Sequence, residues 1–359
     1  MRLLLLADCL ENGGLERQMS LLATNMPDGW EARVWALRGG AFEEYLLEAG
    51  VPVLVRERRG RFDFVPAARL WHDIRSWRPD VAHAWSWMSM LAAGPACRRR
   101  NVPIIDGTIQ TGAYRPELLG LNRLGMSFAT LVAANTQAGL DAWGVAKAKG
   151  RVVHNGFDWS RIPQQGPSQP QDPTVTTVVM TARMAPEKHY DVVISAARRL
   201  NRERRGWRFI LVGDGPDRRR LMEQAADLVA EGVVAFPRPG LEVLDLVRDA
   251  DIGVLMTNPA LAYEGLSNSI MEYMALELPV VCGGGGGNPE LVLNGTTGFI
   301  VRPGDAEELA RRLSYLREHP GERQAMGAVG RARIRDEFSL ETMVDGMMAV
   351  YGEAMARGA

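Results

Sequence analysis

Short apolar runs alternate with longer amphipathic stretches along the first half of the chain. The runs are typical of strands buried on both faces of a parallel sheet, and the stretches between them have the spacing of covering helices. The pattern predicts strands at 3–7, 32–37, 51–55, 81–84, 104–105 and 131–134, and helices at 15–25 and 42–49. The first half is therefore predicted to be an α/β domain.

The alternation stops at residues 162–173 and then begins again. This stretch reads IPQQGPSQPQDP, a proline- and glutamine-rich composition typical of linkers. Beyond it, the pattern predicts strands at 175–180, 209–212, 252–256 and 280–282, and helices at 191–200, 217–230, 306–317 and 341–355. Two α/β domains joined by a linker are therefore predicted.

Composition agrees with a globular protein in a reducing compartment. The 359 residues are 46% hydrophobic and 24% charged, and their net charge of −1 gives no bulk attraction for nucleic acid. Cys9, Cys97 and Cys282 lie too far apart in sequence for a disulfide framework or a zinc site. The first apolar run ends at Asp8, too early for a signal peptide, and no run is long enough to span a membrane. We expect a cytoplasmic protein.

The loop after the strand at 175–180 holds two candidate phosphate ligands, Arg183 and Lys188. The chain has 39 arginines and three lysines, and the two side chains bind phosphate differently. Arg183 and Lys188 could converge on a diphosphate. The alternative is a pair of solvated surface charges.

The stretch from Glu264 to Glu272 is the most specific of these loops. Its small and polar residues at 265–269 suit the start of a helix, where unpaired backbone N–H groups bind phosphate oxygens. The two glutamates could accept hydrogen bonds from hydroxyls of a sugar and of a ribose. A pair of glutamates at this spacing also occurs by chance.

Three further loops are rich in glycine. Gly13 and Gly14 follow the first strand, which suits either an anion site or a tight strand–helix turn. The turn that begins at Gly213 fails the dinucleotide-binding fingerprint, because Arg218 stands where the third glycine is needed. The glycines at 283–287 leave room for a ligand or form a flexible surface loop.

Taken in order, these segments resemble glycosyltransferase family 4, a large family of retaining enzymes with the GT-B fold. The segments read GGLER, VVHNGFD, ARMAPEKHYD, LVGDGP, YEGLSNSIMEYMALELPVV and GGNPELVLNGTTGFIVRPGD. The resemblance covers nearly the whole chain. It implies two Rossmann-like α/β domains that face each other across a cleft: 1–161 for the acceptor and 174–338 for the donor. A last helix, within 339–359, would cross back to the first domain.

The resemblance also implies a role for each motif residue. The implied catalytic residues are Glu264, on the donor sugar, and Arg183 and Lys188, on the donor diphosphate. The implied donor-binding residues are Glu272, on the ribose hydroxyls, and Gly265, Leu266, Ser267, Gly13, Gly14 and Gly213, of which Gly13 and Gly14 would close the cleft from the acceptor side.

The implied reaction is retaining hexosyl transfer from a UDP- or GDP-sugar to an acceptor hydroxyl. The leaving phosphate oxygen would accept the acceptor's proton, and no metal or cofactor is needed. The implied partners are the nucleotide-sugar donor and a glycan or lipid-linked acceptor of bacterial glycan, polysaccharide or glycolipid biosynthesis.

The sequence departs from the family on both sides of the predicted cleft. The family often has glycine where Ala182 and His189 stand, and often has a histidine in the loop that here reads Asp106–Gln110. His83 does match a histidine that the family often shows, and it is the candidate on the acceptor side. A lone histidine beside a strand is, however, more often packed in the core than catalytic.

The triplet Asp249-Ala250-Asp251 is similar to the acidic metal-binding motif of the other major glycosyltransferase fold. It lies between a predicted helix and a predicted strand, and no partner loop with converging oxygen ligands is evident. The sequence therefore predicts no metal site there.

Two basic runs suggest contact with a membrane surface. Residues 1–172 carry 20 Lys and Arg against 17 Asp and Glu, and arginines cluster at 56–61 and 98–100. They could place the first domain against the anionic inner face of a membrane. The alternative is a solvated face in an arginine-rich chain.

Two alternative functions belong to other classes. A nucleotide-sugar epimerase of the same fold would change the donor without any acceptor. A non-catalytic nucleotide-sugar binding protein should have lost Arg183, Lys188 or Glu264, yet all three are present.

Overall fold

Two compact units make up the protein, described here from a computed structural model. Unit 1 comprises Met1–Gly156 and Phe338–Ala359, and unit 2 comprises Phe157–Glu337. The structure describes residues 1–11, 13–58, 60, 63–109, 119–162, 172, 174–238, 240 and 243–358. Most of the predicted linker at 162–173 lies outside these residues. So do Asn12, which precedes the motif GGLER, Arg59 and Arg61 of the first basic run, and Gln110 of the loop after the strand at 104–105.

Within the described part of unit 1, seven parallel strands form one sheet. They are β1 (Arg2–Ala7), β2 (Glu31–Ala36), β3 (Val53–Val55), β4 (Val81–Ala84), β5 (Ile104–Asp106), β6 (Leu131–Ala134) and β7 (Gly150–Val152). Their order in the sheet is β3-β2-β1-β4-β5-β6-β7. The order reverses between β1 and β4, and doubly wound sheets bind ligands beside the carboxyl ends of strands at such a reversal.

Helices cover both faces of this sheet. They are α1 (Gly14–Thr24), α2 (Ala41–Glu48), α3 (Val65–Trp77), α4 (Trp87–Arg100), α5 (Leu119–Phe128) and α6 (Gln137–Ala142). On β1, Leu3 and Leu5 pack in a core layer with residues of α1, whereas Leu4 and Leu6 pack in a second layer with residues of α3 and α4. Since alternate side chains of a strand point to opposite faces, a strand covered on both sides needs an unbroken apolar run.

Unit 2 repeats the architecture with six parallel strands in its described part. The strands are β8 (Thr176–Thr181), β9 (Trp207–Val212), β10 (Val234–Ala235), β11 (Ile252–Leu255), β12 (Val280–Gly283) and β13 (Gly298–Val301). The helices are α7 (Tyr190–Glu203), α8 (Arg218–Gln224), α9 (Ala226–Ala230), α10 (Val243–Arg248), α11 (Asn268–Ala275), α12 (Asn288–Leu291), α13 (Ala306–Glu318) and α14 (Pro320–Glu337). The strand order β10-β9-β8-β11-β12-β13 reverses between β8 and β11.

The single helix predicted at 217–230 is wrong, because two helices, α8 and α9, occupy this stretch. The backbone leaves helical geometry at Ala225, with φ −103° and ψ 15°. Leu221 and Leu228 are both buried on either side of the break. Both short helices thus contribute an apolar side chain to the core.

The last helix, α15 (Leu340–Gly358), belongs to unit 1 and is longer than the predicted 341–355. Met343, Met347 and Tyr351 join the core layer that contains Leu3 and Leu5. At its outer side, Arg151 Nε donates to Glu353 Oε2 at 2.7 Å. Among the described residues, no helix combines the length and the apolar character that crossing a membrane requires.

Candidate active site

Two loops meet at the carboxyl ends of β8 and β11, where the sheet of unit 2 reverses its order. The backbone N–H of His189 donates to Met256 O at 3.2 Å, and that of Asn258 donates to Glu187 O at 2.8 Å. These bonds fasten the loop that follows β8 to the segment that follows β11. The resulting site has the position in which sheets of this topology bind ligands.

Lys188 and Glu264, predicted from separate motifs, form an ion pair between these loops. The Glu264 carboxylate also accepts a hydrogen bond from Thr257 Oγ1 at 2.8 Å. The side chains of Lys188 and Glu264 are only 19% and 13% exposed. A charge with so little access to water needs a partner, and each of these two side chains provides one for the other.

Arg183 lies in the same loop as Lys188 but has a different partner. Its side chain is 67% exposed and pairs with Glu187, four residues further on. Burial raises the pKa of Glu187, but the hydrogen bond from Arg183 and the charge of Lys188 outweigh it and hold the pKa below its ordinary value. Glu187 is therefore a carboxylate, and Arg183 is a cation at the rim of the site.

The start of α11 is fixed against the end of β8. Ser267 caps the helix by accepting a hydrogen bond from Ile270 N, and Ser269 Oγ donates to Thr181 O at 2.7 Å. The Tyr273 hydroxyl accepts from Thr181 N at 2.6 Å. Gly265, Leu266 and Ser267, the predicted backbone donors, are buried and lead directly into this helix.

Glu272 lies within α11 and forms an ion pair with Arg161. Arg161 Nη2 is 2.8 Å from Glu272 Oε1, and the glutamate side chain is 9% exposed. Sequence reasoning missed Arg161, which ends a short 3₁₀ turn (Trp159–Arg161) just before the predicted linker. The turn follows the motif VVHNGFD directly, and that adjacency was the available signal.

The glycine-rich loop after β12 packs against the backbone of Glu264. Gly286 has a φ of +57°, and a Cβ there would lie 2.1 Å from Glu264 O. The same oxygen accepts a hydrogen bond from Gly287 N at 2.9 Å. Glycine is required at 286, because any side chain would displace Glu264 from its place beside Lys188.

Family models match both units of the chain. The model described as "Glycosyl transferases group 1" matches residues 175–319, and that described as "Glycosyltransferase Family 4" matches residues 12–161. The chain belongs to glycosyltransferase family 4, group 1. The family expected from the sequence motifs is confirmed.

The curated relatives of this glycosyltransferase have different names from one another. Glycogen synthase of Mycobacterium tuberculosis (strain ATCC 25618 / H37Rv) is 27% identical over 299 residues, 77% of this chain and 69% of that protein. The putative colanic acid biosynthesis glycosyltransferase WcaL of Escherichia coli (strain K12) is 31% identical over 270 residues, 69% of this chain and 64% of WcaL. The match to WcaL thus spans less than two thirds of its length.

Solved structures share the fold of this glycosyltransferase. Alr3699/HepE of Anabaena, in complex with UDP, has a TM-score of 0.85 and 23% identity over 98% of this chain and 100% of that one. A glycosyltransferase from Rickettsia africae has a TM-score of 0.84 and 19% identity over 99% of this chain and 98% of that one. The predicted GT-B class of α/β fold is confirmed.

In this glycosyltransferase, close packing of the backbone requires glycine at position 213. A Cβ at this position would lie 2.1 Å from Ala182 O, so only glycine lets the loops after β8 and β9 approach each other. A groove of about 590 Å³ opens beside this turn, lined among others by Asp214, Arg218 and Arg238. The donor role predicted for Gly213 stays a prediction.

Gly13 and Gly14 lie at the start of α1 in unit 1. Gly13 is the N-cap residue with extended backbone, and as a glycine it offers no side-chain acceptor of its own to the first backbone N–H groups of α1. The carboxylate of Glu16, in the first turn, lies against Gly13. The role predicted for the two glycines stays a prediction.

Asp8 is a carboxylate at the reversal point of unit 1 that sequence reasoning did not single out. It follows β1 directly and accepts hydrogen bonds from Ser86 Oγ and, at 3.1 Å, from Ser89 Oγ. Burial raises the pKa of Asp8, although both serines oppose the shift. The signal in the sequence was a polar residue directly after the first strand. The carboxylate of Asp8, with the two serine hydroxyls beside it, can bind a ligand hydroxyl.

His83 lies in the core of unit 1. It is 1% exposed, its Nδ1 lies 2.8 Å from the Tyr351 hydroxyl, and its ring centre lies 4.7 Å from that of Trp85, with the two ring planes tilted by 34°. Burial lowers its pKa to about 3, so the imidazole is neutral. These contacts describe a packed histidine that joins β4 to α15, and they give no support to the acceptor-side role.

The acidic triplet is paired with basic side chains. Asp251 accepts from Thr177 N at 2.8 Å and lies 3.0 Å from Arg323, while Asp249 lies 3.6 Å from Arg248. In the part of the chain that the structure describes, no group of three or more His, Cys, Asp and Glu side chains is placed to hold a metal ion. Both aspartates thus have partners within the packing of unit 2.

Proposed function

We propose that this glycosyltransferase carries out retaining transfer of a hexose from a nucleotide-diphosphate donor to an acceptor hydroxyl. The observation that carries the proposal is the nearly buried Lys188–Glu264 pair beside the start of α11, at the reversal point of a doubly wound sheet. A structure of the fold neighbour HepE is a complex with UDP-glucose, and a Corynebacterium glutamicum relative is named a GDP-mannose-dependent mannosyltransferase. These names support a UDP- or GDP-sugar as the donor.

In the proposed complex, different residues bind the diphosphate, the ribose and the sugar of the donor. Lys188 and Arg183 bind the diphosphate, with the backbone N–H groups at Gly265–Ser267 as further donors. Glu272 accepts hydrogen bonds from the ribose, and Glu264 accepts them from the sugar. No cofactor takes part.

The proposed reaction breaks the bond between the anomeric carbon and the diphosphate oxygen. Negative charge grows on the leaving diphosphate, and Lys188 is the residue proposed to stabilise that charge in the transition state. The acceptor hydroxyl forms the new bond on the same face and gives its proton to the leaving phosphate oxygen. The anomeric configuration is thereby retained without a protein base.

The test is turnover of UDP-, GDP- and ADP-hexoses with and without a panel of alkyl glycosides. Transfer predicts nucleotide release that depends on an acceptor, and an NMR spectrum of the product with the anomeric configuration of the donor. An altered sugar formed from the donor alone would instead establish an epimerase. Nucleotide binding without any turnover would establish a non-catalytic binding protein.

Donor turnover is expected to be unchanged by excess EDTA, since cationic side chains take the place of a metal at the diphosphate. The measurement is nucleotide release after chelation, followed by addition of Mg²⁺ or Mn²⁺. Activity lost on chelation and restored by either ion would overturn metal independence.

We further propose that unit 1 contacts an anionic membrane surface, where lipid-linked acceptors are found. Phe64 is 72% exposed at the start of α3, next to the basic stretch at 56–61, and Val65 is exposed as well. Exposed apolar side chains beside arginines suit a membrane interface, where each basic residue contributes about 1 kcal/mol.

The protein is therefore expected to co-sediment with phosphatidylglycerol vesicles at low salt but not with phosphatidylcholine vesicles. Phe64→Ser should weaken this binding, whereas Leu293→Ser, on an exposed apolar residue of unit 2, should not. The absence of binding at low salt rules the contact out.

A further inference from the structure

The turn before the predicted linker is anchored to the helix that carries Glu272. Asp158 caps the turn by accepting hydrogen bonds from Ser160 N at 3.0 Å and Ser160 Oγ at 2.6 Å. The Arg331 guanidinium lies 5.3 Å from the centre of the Trp159 ring and donates to Ala275 O, at the end of α11, at 3.2 Å. Arg161 is thus presented to α11 by a turn with its own fixed geometry.

The ion pair with Arg161 compensates the negative charge of the nearly buried Glu272 side chain. A carboxylate with little access to water is costly unless a cation and hydrogen bonds compensate it. Arginine cannot lose its charge and holds a carboxylate in a defined orientation. The Glu272 carboxylate therefore has a compensating partner that orients it before any nucleotide binds.

We propose that Arg161 is a positioning residue for the ribose of the donor. The inference rests on the donor site proposed above, in which Glu272 binds the ribose hydroxyls. A carboxylate has two oxygens with about four lone-pair sites, so one oxygen can bind the guanidinium while the carboxylate still accepts from a hydroxyl. Arg161 acts through Glu272 and needs no contact with the nucleotide.

The opposite arrangement would be competition, in which Arg161 occupies the carboxylate and must leave before the ribose binds. Burial favours positioning. Without Arg161 the nearly buried carboxylate would lose the group that compensates and orients it, and an unoriented carboxylate is a poorer acceptor for the ribose hydroxyls. Loss of Arg161 should therefore weaken ribose recognition rather than strengthen it.

The experiment compares binding of UDP and GDP with binding of their 2′,3′-dideoxy counterparts by calorimetry. The wild type is expected to prefer the ribonucleotide by about 10-fold to 100-fold, as for hydrogen bonds to a charged group. Arg161→Ala should lose most of this preference and bind the dideoxynucleotide nearly as the wild type does. Arg161→Lys should restore part of it.

Two controls separate positioning from general damage. Arg198→Ala removes an ion pair with Asp227 that joins α7 to α9, and it should leave the preference intact. In a Glu272→Ala background, Arg161→Ala should cause no further loss, since the two residues act on the same hydroxyls.

The outcomes are distinct. Equal weakening of both nucleotides by Arg161→Ala means a structural role, tighter ribonucleotide binding means competition, and an unchanged preference means no role; each overturns the inference. A wild type that binds neither nucleotide overturns the proposed donor site itself.

Discussion

Lys188→Ala is expected to lower kcat/KM for the donor by about 10²-fold to 10³-fold, the range seen when one preorganised charge-stabilising group is removed. Lys188 has two partners in the proposed reaction. It compensates the Glu264 carboxylate, and it stabilises the charge that develops on the leaving diphosphate. The measurement is steady-state kinetics with whichever nucleotide-sugar the protein turns over.

Arg183→Ala is the matched comparison within the same loop. Its side chain is largely exposed and already paired with Glu187, so water screens its charge and the loss should be smaller. Lys188→Arg keeps the positive charge but changes the shape of the side chain. Its loss of kcat/KM should therefore lie between those of Arg183→Ala and Lys188→Ala. Wild-type kcat/KM in Lys188→Ala, or a larger loss in Arg183→Ala, would reverse the roles assigned to the two cations.

Glu264 and Glu272 are expected to fail in different ways. Glu272→Ala should weaken nucleotide binding by about 1.5–3 kcal/mol, the usual value for hydrogen bonds to a charged group, with little change in kcat. Glu264→Gln should mainly lower kcat, because the sugar changes geometry and charge as its bond to the diphosphate breaks. Kinetics and nucleotide titration on both variants measure the two effects separately.

The structure adds a control for Glu264. Since Lys188 and Thr257 both contact its carboxylate, Glu264→Gln also removes an ion pair. Combining Glu264→Gln with Lys188→Ala gives the coupling between them, and losses that add fully would show that the pair does not act as a unit. Wild-type kcat in Glu264→Gln contradicts its role at the sugar, and wild-type nucleotide affinity in Glu272→Ala contradicts its role at the ribose.

The central strands could be predicted from the sequence because they are buried on both faces. β4 and β6 have the predicted bounds of 81–84 and 131–134, and β1 differs by one residue. The edge strands β7, β10 and β13 were missed. The runs of the first two, Gly150–Val152 and Val234–Ala235, are short and not uniformly apolar, and the apolar run of β13 begins only after Gly298. Their pairing with a neighbouring strand defines them, and a single sequence does not display pairing.

The sequence predicted residues of the candidate site, but it did not predict which of them contact each other. The sequence located Lys188, Glu264 and Glu272, yet it showed neither the Lys188–Glu264 pair nor the contact of Arg161 with Glu272. Both contacts join residues on different elements, so they depend on strand order and loop geometry. For His83 the structure shows a core contact with Tyr351 that the sequence did not predict, and its acceptor-side role stays a prediction.

Unit 1 takes its last helix from the far end of the chain. The layer around Leu3 and Leu5 is completed by Met343, Met347 and Tyr351. Unit 2, in contrast, is one uninterrupted stretch, Phe157–Glu337. During synthesis at about 5–20 residues per second, the wait between the end of the first segment of unit 1 and the arrival of α15 is on the order of ten to forty seconds. Unit 1 is thus synthesised in two segments with the whole of unit 2 between them, and its core layer at Leu3 and Leu5 has no α15 to pack against until the second segment is made.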